Sequence, residues 1–177
     1  MKLSTTALAL ALLAAPAAAR AAGVNDAQIA SIVVTANQVD VDAGKLAAAT
    51  TANAEVKKFA ELMVSDHTAV NNSAVALVTK LGVKPEDNPT SQSLKKEGGL
   101  NVDHLHTLHG AAFDKAYVDH EVAYHQAVLD AIDKVLVPSA QNAELKSLIV
   151  KVRPAIQAHL DHAKHLQGDL GKNAGKK

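Results

Sequence analysis

Cysteine and tryptophan are both absent from this 177-residue chain, and only four residues are aromatic. Without cysteine no disulfide can form, so the folded chain has to be stabilised by its core alone. The four aromatic residues are Phe59, Phe113, Tyr117 and Tyr124. They are too few to build a stacking platform for nucleic-acid bases or sugars.

An excess of charge of either sign is also absent, because 18 basic residues are balanced by 18 acidic ones. Such a chain lacks the basic surface that binds nucleic acids and the polybasic patch that binds anionic membranes. We therefore expect no nucleic-acid partner.

The N-terminus has the pattern of an export signal. A positive charge at Lys2 precedes an apolar run from Ala7 to Ala19, and small residues suited to cleavage lie at Ala19 and Ala21. The run is too short to span a membrane, and no cysteine follows it for a lipoprotein anchor. We expect residues 1–21 to be a signal peptide, and the mature chain to be periplasmic or secreted without a membrane span.

Alanine is abundant, and the apolar residues recur every three or four positions. This periodicity predicts four long helices, over residues 25–50, 53–82, 111–136 and 142–166. Asn25 and Asn53 are suited to cap the first two helices, and Gly82 is suited to end the second. Pro138 should end the third helix, and Pro154 should kink the fourth.

Residues 83–110 separate the second and third predicted helices. This stretch contains two prolines and three glycines, and its short apolar pieces predict a crossover with one or two short helices. The order of hairpin, long connection and hairpin is that of ferritin-like bundles. We therefore predict an all-α, ferritin-like four-helix bundle over residues 25–166, followed by a flexible tail over residues 167–177.

One histidine interrupts the apolar stripe of each of the last three predicted helices. His67, His125 and His159 stand where the spacing predicts a buried side chain. A buried imidazole needs a hydrogen bond, a metal ion or a water molecule. Three such residues on three helices therefore predict a shared polar site inside the bundle.

Imidazole nitrogens are common ligands of zinc, copper and iron. Three carboxylates are placed to complete such a site: Asp66 next to His67, Glu121 one turn before His125, and Asp40 on the first helix. The alternative is a metal-free hydrogen-bond network that fixes the register of the helices. Both interpretations require the same residue types, so the pattern leaves them open.

The helix lengths place these side chains at different depths. At a rise of about 1.5 Å per residue from a turn near residue 139, His125 and His159 differ by roughly 9 Å along the bundle. The same count from the first turn separates Asp40 and His67 by roughly 6 Å. This count predicts two adjacent polar layers as an alternative to a single ligand set.

The ligand pattern of a ferritin-like di-iron site is missing. That site needs a glutamate from each of two helices and a Glu-x-x-His motif from each of the other two. No Glu-x-x-His motif occurs in this sequence, and no glutamate lies between Asp26 and Thr50. We therefore do not expect a di-iron enzyme.

Two further groups of histidines are candidates for weaker and more exposed sites. His104, His106 and His109 lie in the predicted crossover, and His162 and His165 lie near the end of the last predicted helix. Loops and helix ends of this kind are usually solvated polar surface. We therefore do not expect either group to hold a metal ion tightly.

A series of short patterns resembles one family. In chain order they are Gly44-Lys45-Leu46-Ala47, Val56-Lys57-Lys58-Phe59-Ala60, Met63-Val64, Asp66-His67-Thr68, Asn71, Gly110, Phe113-Asp114, Tyr117-Val118, His125, Pro154 and His159-Leu160. Together they resemble the domain of unknown function 4142 family over about residues 25–166. The resemblance implies an exported bacterial protein with a ferritin-like bundle, of the kind labelled as outer membrane proteins, and it implies no biochemical role. Asp40 and Asp42 stand where glutamates are common in that family.

These observations lead to three hypotheses. In the first, an exported and non-catalytic helical bundle binds a transition metal ion at its buried histidine and carboxylate site, for metal buffering or envelope stress tolerance. In the second, the core histidines form a metal-free network, and the chain is a structural module that associates with itself or with an envelope protein. In the third, the chain is a metal-dependent oxidoreductase, and the missing glutamates argue against it.

Overall fold

The computed structural model describes residues 23–174, and the predicted signal peptide lies outside the described residues. Its elements are α1 (Asp26–Thr50), α2 (Ala54–Lys80), α3 (Pro89–His106), α4 (Gly110–Ala131), a π-helical segment (Ile132–Leu136), α5 (Val137–Ser139) and α6 (Ala143–Ala174). Within this range no strand is formed, and no helix is long and apolar enough to cross a bilayer. The predicted all-α helical bundle is confirmed.

The first two helices begin where the sequence predicted, because asparagine side chains cap them. The Asn25 carboxamide oxygen accepts the Gln28 amide at 2.8 Å, and the Gln28 side chain accepts the Asn25 amide at 3.2 Å. Asn53 accepts the amide of Glu55 at 3.0 Å at the start of α2. Gly82 follows α2 with a φ of 63°, a left-handed conformation that favours glycine.

Two helical hairpins enclose the interior. α1 packs along α2, α4 packs along α6, and the hairpins meet where α2 contacts α6 and α1 contacts α4. Short connections join the members of each hairpin, so the paired helices are antiparallel. Each of these four long helices therefore contributes one stripe of side chains to the same interior.

The crossover contains one helix of 18 residues, α3, which packs against α1 and is longer than predicted. The glycines inside α3 do not end the helix. Gly98 lies where α3 approaches α1 closely. A Cβ atom at Gly98 would lie 2.6 Å from Cγ1 of Val39. Glycine therefore permits the close packing of α3 on α1.

We expect Gly98→Ala to destabilise the fold by about 1–3 kcal/mol, the usual cost of overpacking a well-filled core. Gly99→Ala is the matched control, because a Cβ atom there meets nothing within 4 Å. Alanine is preferred to glycine inside a helix by up to about 1 kcal/mol, so the control should be neutral or stabilising. Urea unfolding of both variants checks this prediction. Equal shifts in the free energy of unfolding would contradict the close packing of α3 on α1.

The third predicted helix does not end at Pro138. The chain remains helical up to Ser139, because a π-helical segment precedes the proline. In this segment the amide of Val137 donates to the carbonyl of Ile132, five residues earlier. The turn into α6 therefore lies later than the sequence predicted.

The last helix is also longer than predicted. It continues through Pro154 and ends at Ala174, whereas the sequence pattern placed its end at residue 166. A proline inside a helix removes one backbone hydrogen bond, which the packing of α6 against α4 and α2 has to offset.

The interior consists of two apolar clusters with a polar layer between them. One cluster includes Ile29, Ile32, Leu129, Ile132, Ile149 and Ile156, and the other includes Phe59, Met63, Phe113, Tyr117, Val118 and Ala163. Between these clusters each long helix contributes a buried ionisable side chain to the polar layer, which is Asp40 on α1, His67 on α2, His125 on α4 and His159 on α6. The layer is therefore shielded from solvent on both sides along the bundle.

Candidate metal centre

The polar layer brings together one side chain from each long helix. Asp40 is 1% exposed, and His67, His125 and His159 are 4%, 0% and 5% exposed. The imidazole ring centres are 5.2 to 5.6 Å apart, and one nitrogen of each ring lies within 4.8 Å of a nitrogen of the other two. The structure therefore shows one cluster and not the two layers that the depth count allowed.

The depth count failed because helical side chains lean toward the N-terminus of their own helix. α4 runs toward the turn and α6 runs away from it, so His125 leans away from the turn and His159 leans toward it. The two imidazoles therefore approach each other. The same opposed leaning joins α1 and α2, where the Asp40 Oδ2 and His67 Nε2 atoms are 2.9 Å apart.

Each imidazole has an oxygen acceptor on the side that faces away from the cluster. The pairs are His67 Nδ1 with Asn37 Oδ1 at 2.8 Å, His125 Nδ1 with the Glu121 carbonyl oxygen at 3.0 Å, and His159 Nε2 with Asp66 Oδ2 at 2.9 Å. An acceptor at one ring nitrogen holds the proton on that nitrogen, so the other nitrogen of a neutral ring presents a lone pair. Histidines that bind metal ions are oriented in this way by surrounding oxygens.

Asn37 fixes the proton position on His67. Its Nδ2 atom donates to the Val33 carbonyl at 2.7 Å, which turns Oδ1 toward His67 Nδ1. That oxygen only accepts, so Nδ1 of His67 is the donor. A neutral His67 then points the Nε2 lone pair at the Asp40 carboxylate, and only a cation shared by these two atoms relieves the repulsion. A metal ion or a second proton on the ring meets this requirement.

Buried polar atoms without a hydrogen-bond partner are concentrated in this cluster. Within the described residues they include both carboxylate oxygens of Asp40, Nε2 of His67, Nε2 of His125 and Nδ1 of His159. Buried polar groups in folded proteins are nearly always satisfied. A second proton on His67 would satisfy only the pair with Asp40, and it would leave the lone pairs of His125 and His159 without a partner.

Two neighbouring carboxyl groups set the charge of the cluster. Burial by itself raises the pKa of Asp40, but hydrogen bonding with His67, electrostatic attraction to His67 and a hydrogen bond from Glu121 hold this pKa below 3.8. Burial and the Asp40 charge raise the pKa of Glu121 well above 4.5. Asp40 is therefore ionised while Glu121 tends to keep its proton. A single buried negative charge is costly unless a cation compensates it.

The imidazoles of His125 and His159 are held in the neutral form. Burial lowers the pKa of His125 to about 4, although the charge of Asp40 opposes this shift. Burial also lowers the pKa of His159, against the hydrogen bond that His159 donates to Asp66. Metal ions bind the neutral ring, so these histidines need release no proton before binding.

Two of the predicted carboxylates lie behind the histidines. Asp66, with a side chain that is 41% exposed, contacts His159 on the side away from the cluster. Glu121 Oε2 lies 3.3 Å from His125 Nδ1, and Glu121 forms a second group with Asp40 and His125 in which ligand atoms are within 4.8 Å of one another. A protonated Glu121 is a poor metal ligand, so we assign Glu121 and Asp66 to orienting the rings.

The more exposed histidines do not assemble a comparable group. Over residues 23–174, no cluster of three potential metal ligands includes His104, His106 or His109. His162 lies edge-on to Phe59 with ring centres 5.0 Å apart, and His165 forms an exposed pair with Asp169. The buried cluster is thus the candidate site in the described chain.

Asn37 is the residue of this site that the sequence reasoning missed. The predicted stripe of α1 left it out, although Val33, Asn37, Asp40, Gly44 and Ala47 are all buried and are spaced by threes and fours. This second stripe faces α2, where Asn37 and Asp40 contact His67 and a Cβ atom at Gly44 would lie 3.0 Å from Cγ2 of Val64. The regular spacing of these five residues is the signal that could have identified Asn37.

Comparison with known proteins identifies a family but no individual relative. A family model described as "Domain of unknown function (DUF4142)" matches residues 11–166. No curated protein and no solved structure matches this sequence. The ferritin-like classification therefore stays a prediction from the order of the helices.

Proposed function

The chain belongs to the DUF4142 family, as its sequence patterns predicted, and we propose that it is a non-catalytic bundle that holds one transition metal ion at its centre. The ligand atoms would be Nε2 of His67, Nε2 of His125 and Nδ1 of His159, with Oδ2 of Asp40 as the fourth. One observation carries the proposal. Three ring nitrogens are buried together without hydrogen-bond partners of fixed proton position beside the ionised Asp40 carboxylate, while each ring is oriented from behind by an oxygen.

Zinc is the first ion that this ligand set suggests. Zn²⁺ takes four nitrogen, oxygen or sulfur ligands in a tetrahedral arrangement, and sites with four protein ligands have no open position for a substrate. Copper and iron also bind imidazole and are the next candidates. Neutral histidines and one ionised aspartate leave a bound divalent ion with a net charge of about +1, less than the bare ion would carry in the interior.

The proposed role is to buffer or sense the metal in the cell envelope. It combines the closed ligand set with the expected signal peptide over residues 1–21, which would direct the chain to the periplasm or to secretion. Burial of the ligands by all four long helices suits retention of an ion better than rapid exchange. Tolerance of envelope stress by limiting free metal would be the physiological consequence.

A metal-free network is the second candidate, and the contact of Asp40 with His67 favours it. At 2.9 Å the Asp40 Oδ2 and His67 Nε2 atoms are at hydrogen-bond distance, so a doubly protonated His67 would bind Asp40 without any metal. In that case the histidines would fix helix register, and the function would reside in association with a partner protein or a second copy.

Metal content separates these two candidates. We would purify the untagged full chain without chelators and measure zinc, copper, iron and nickel by mass spectrometry. The metal-free chain would then be titrated with each ion against a chromophoric chelator. The proposal predicts one ion per chain at micromolar or lower free metal, and an unchanged result for His104→Ala, an exposed histidine on α3. Absence of bound metal and of uptake would favour the network.

A further inference from the structure

A cavity of about 190 Å³ lies beside the histidine cluster. It is bounded by α1, α2, α3, α4, the π-helical segment and α6. Its walls are mostly apolar, with Ile32, Val128, Ile132, Leu136, Ile149 and Ile156 among them, and α3 adds the polar residues Thr90 and Glu97. Asn37 and His67 form part of the wall nearest the cluster. The cavity therefore joins the apolar core on one side to the candidate metal centre on the other.

The chemistry of the walls disfavours water as the occupant. A buried water molecule needs two to four polar partners, whereas a cavity of about 150 Å³ lined by leucine, isoleucine and phenylalanine stays dry and binds benzene. In this cavity, Asn37 and His67 already bind each other. The space is thus large enough for one aromatic ring, and it gains most from apolar contact.

The π-helical segment is a second feature that points to a ligand. Ile132 and Leu136, the first and last residues of this segment, both line the cavity. A π-helical turn is rare, and it costs regular hydrogen bonding. Such turns occur frequently at functional sites, because the extra residue changes the direction of the side chains around it. Here both side chains are buried beside the cavity.

One edge of the cavity offers a limited polar contact. The rings of His120 and Tyr124 are stacked with centres 5.6 Å apart and planes 18° from parallel. The Tyr124 hydroxyl already donates to the Ala36 carbonyl at 2.8 Å, so its remaining capacity is that of an acceptor. A ligand with one N–H or O–H group could bind here. Away from the exposed Glu97 on the α3 side, a charged ligand would lose its hydration without compensation.

We propose that this cavity binds a small, uncharged and mainly apolar molecule of one or two fused rings that bears at most one hydrogen-bonding group. The size of the cavity, its apolar walls and the stacked pair at its edge define this class. The proposal does not depend on a metal ion at the neighbouring cluster, because none of the contacts it uses comes from a metal-bound atom.

Indole is a suitable probe, because it has two fused rings and one N–H group. We would titrate it into the full chain without metal and follow methyl NMR signals of Val128, Ile132 and Val152, all of which line the cavity. Saturable shifts of these signals are expected. Ala131→Leu adds volume to the cavity wall and should weaken binding at least tenfold, while Ala123→Leu, an exposed position on the same helix, should not.

Val128→Ile provides a milder test in case Ala131→Leu fails to fold. It adds a single methylene group to the same wall and should also weaken binding. Shifts that do not saturate, or equal binding by the wild type and both cavity variants, would overturn the proposal. The titration is repeated with His125→Ala. Retained indole binding there supports an independent cavity site, whatever the outcome of the metal measurements.

Discussion

His125→Ala is expected to lower the affinity of the chain for its metal ion by at least about 100-fold. Loss of a residue that only orients a metal ligand usually costs 10- to 100-fold in affinity, and His125 is assigned as a ligand itself. The variant also removes the lone pair that lies closest to Asp40 after that of His67. Competition with a chelator of known affinity measures the effect.

The matched control for His125→Ala is His104→Ala. Both replace a histidine by alanine, but His104 is exposed near the end of α3 and belongs to no ligand group in the described chain. The metal affinity of the His104→Ala variant should equal that of the wild type. A loss of affinity shared by both variants would show that metal binds to surface histidines in general and not to the buried cluster.

The same ligand assignment predicts how metal affects stability. An ion that binds only the folded chain should raise the free energy of unfolding by roughly 4 kcal/mol when its free concentration is about 1,000 times its dissociation constant. His125→Leu should fold, because replacing a buried polar group by an apolar one of similar size is often neutral or stabilising. Metal should no longer raise the free energy of unfolding of this variant. A preserved response in this variant would contradict the assignment.

The lowered pKa of His125 by itself is expected to destabilise the metal-free chain by on the order of 3 kcal/mol between pH 6.5 and pH 4. Histidines of the unfolded chain bind protons below pH 6.5, whereas burial keeps His125 neutral down to a pKa of about 4. The unfolded state therefore binds more protons in this window, and stability falls as the pH falls. The lowered pKa values of His120 and His159, both caused chiefly by burial, act in the same direction.

Glu121 has the opposite effect and shapes the rest of the pH profile. Its pKa is raised by burial and by the Asp40 charge, so the folded chain keeps this proton above pH 4.5, where the unfolded chain releases it. The loss of stability caused by this retained proton grows as the pH rises. It offsets part of the gain from the histidines. We therefore expect the net decline of stability below pH 6.5 to be smaller than the histidine contribution alone.

Urea unfolding at several pH values in the presence of a chelator measures this profile. His125→Leu is the informative variant, because it should lose a large part of the decline between pH 6.5 and pH 4. A profile that is flat over the whole range would show that the buried histidines are charged or solvated in the folded chain.

The sequence was sufficient to predict the helices and the three central histidines for clear physical reasons. Asparagine caps such as Asn25 act locally, so they mark helix starts without knowledge of the fold. His67, His125 and His159 interrupt stripes whose spacing already predicts burial. A local pattern of residue types therefore contains the information for both features.

The remainder of the site depends on packing between helices. Asn37 is buried where α1 packs on α2, and there its Oδ1 atom accepts a hydrogen bond from His67 Nδ1. The convergence of His125 and His159 depends on opposed side-chain leaning and on a π-helical segment before Pro138. The contacts between helices and the direction in which side chains lean are not recorded in the spacing of apolar residues along one helix.

Anomalous diffraction at the zinc absorption edge tests the central claim most directly. Crystals of the full chain grown with one equivalent of Zn²⁺ should show a single strong peak enclosed by His67, His125 and His159. Zinc–nitrogen distances of about 2.0–2.1 Å to all three rings, and a bond to Asp40, are the predicted result. A peak only at surface histidines such as His104, or none within the bundle, would contradict the claim that this protein holds a metal ion at its centre.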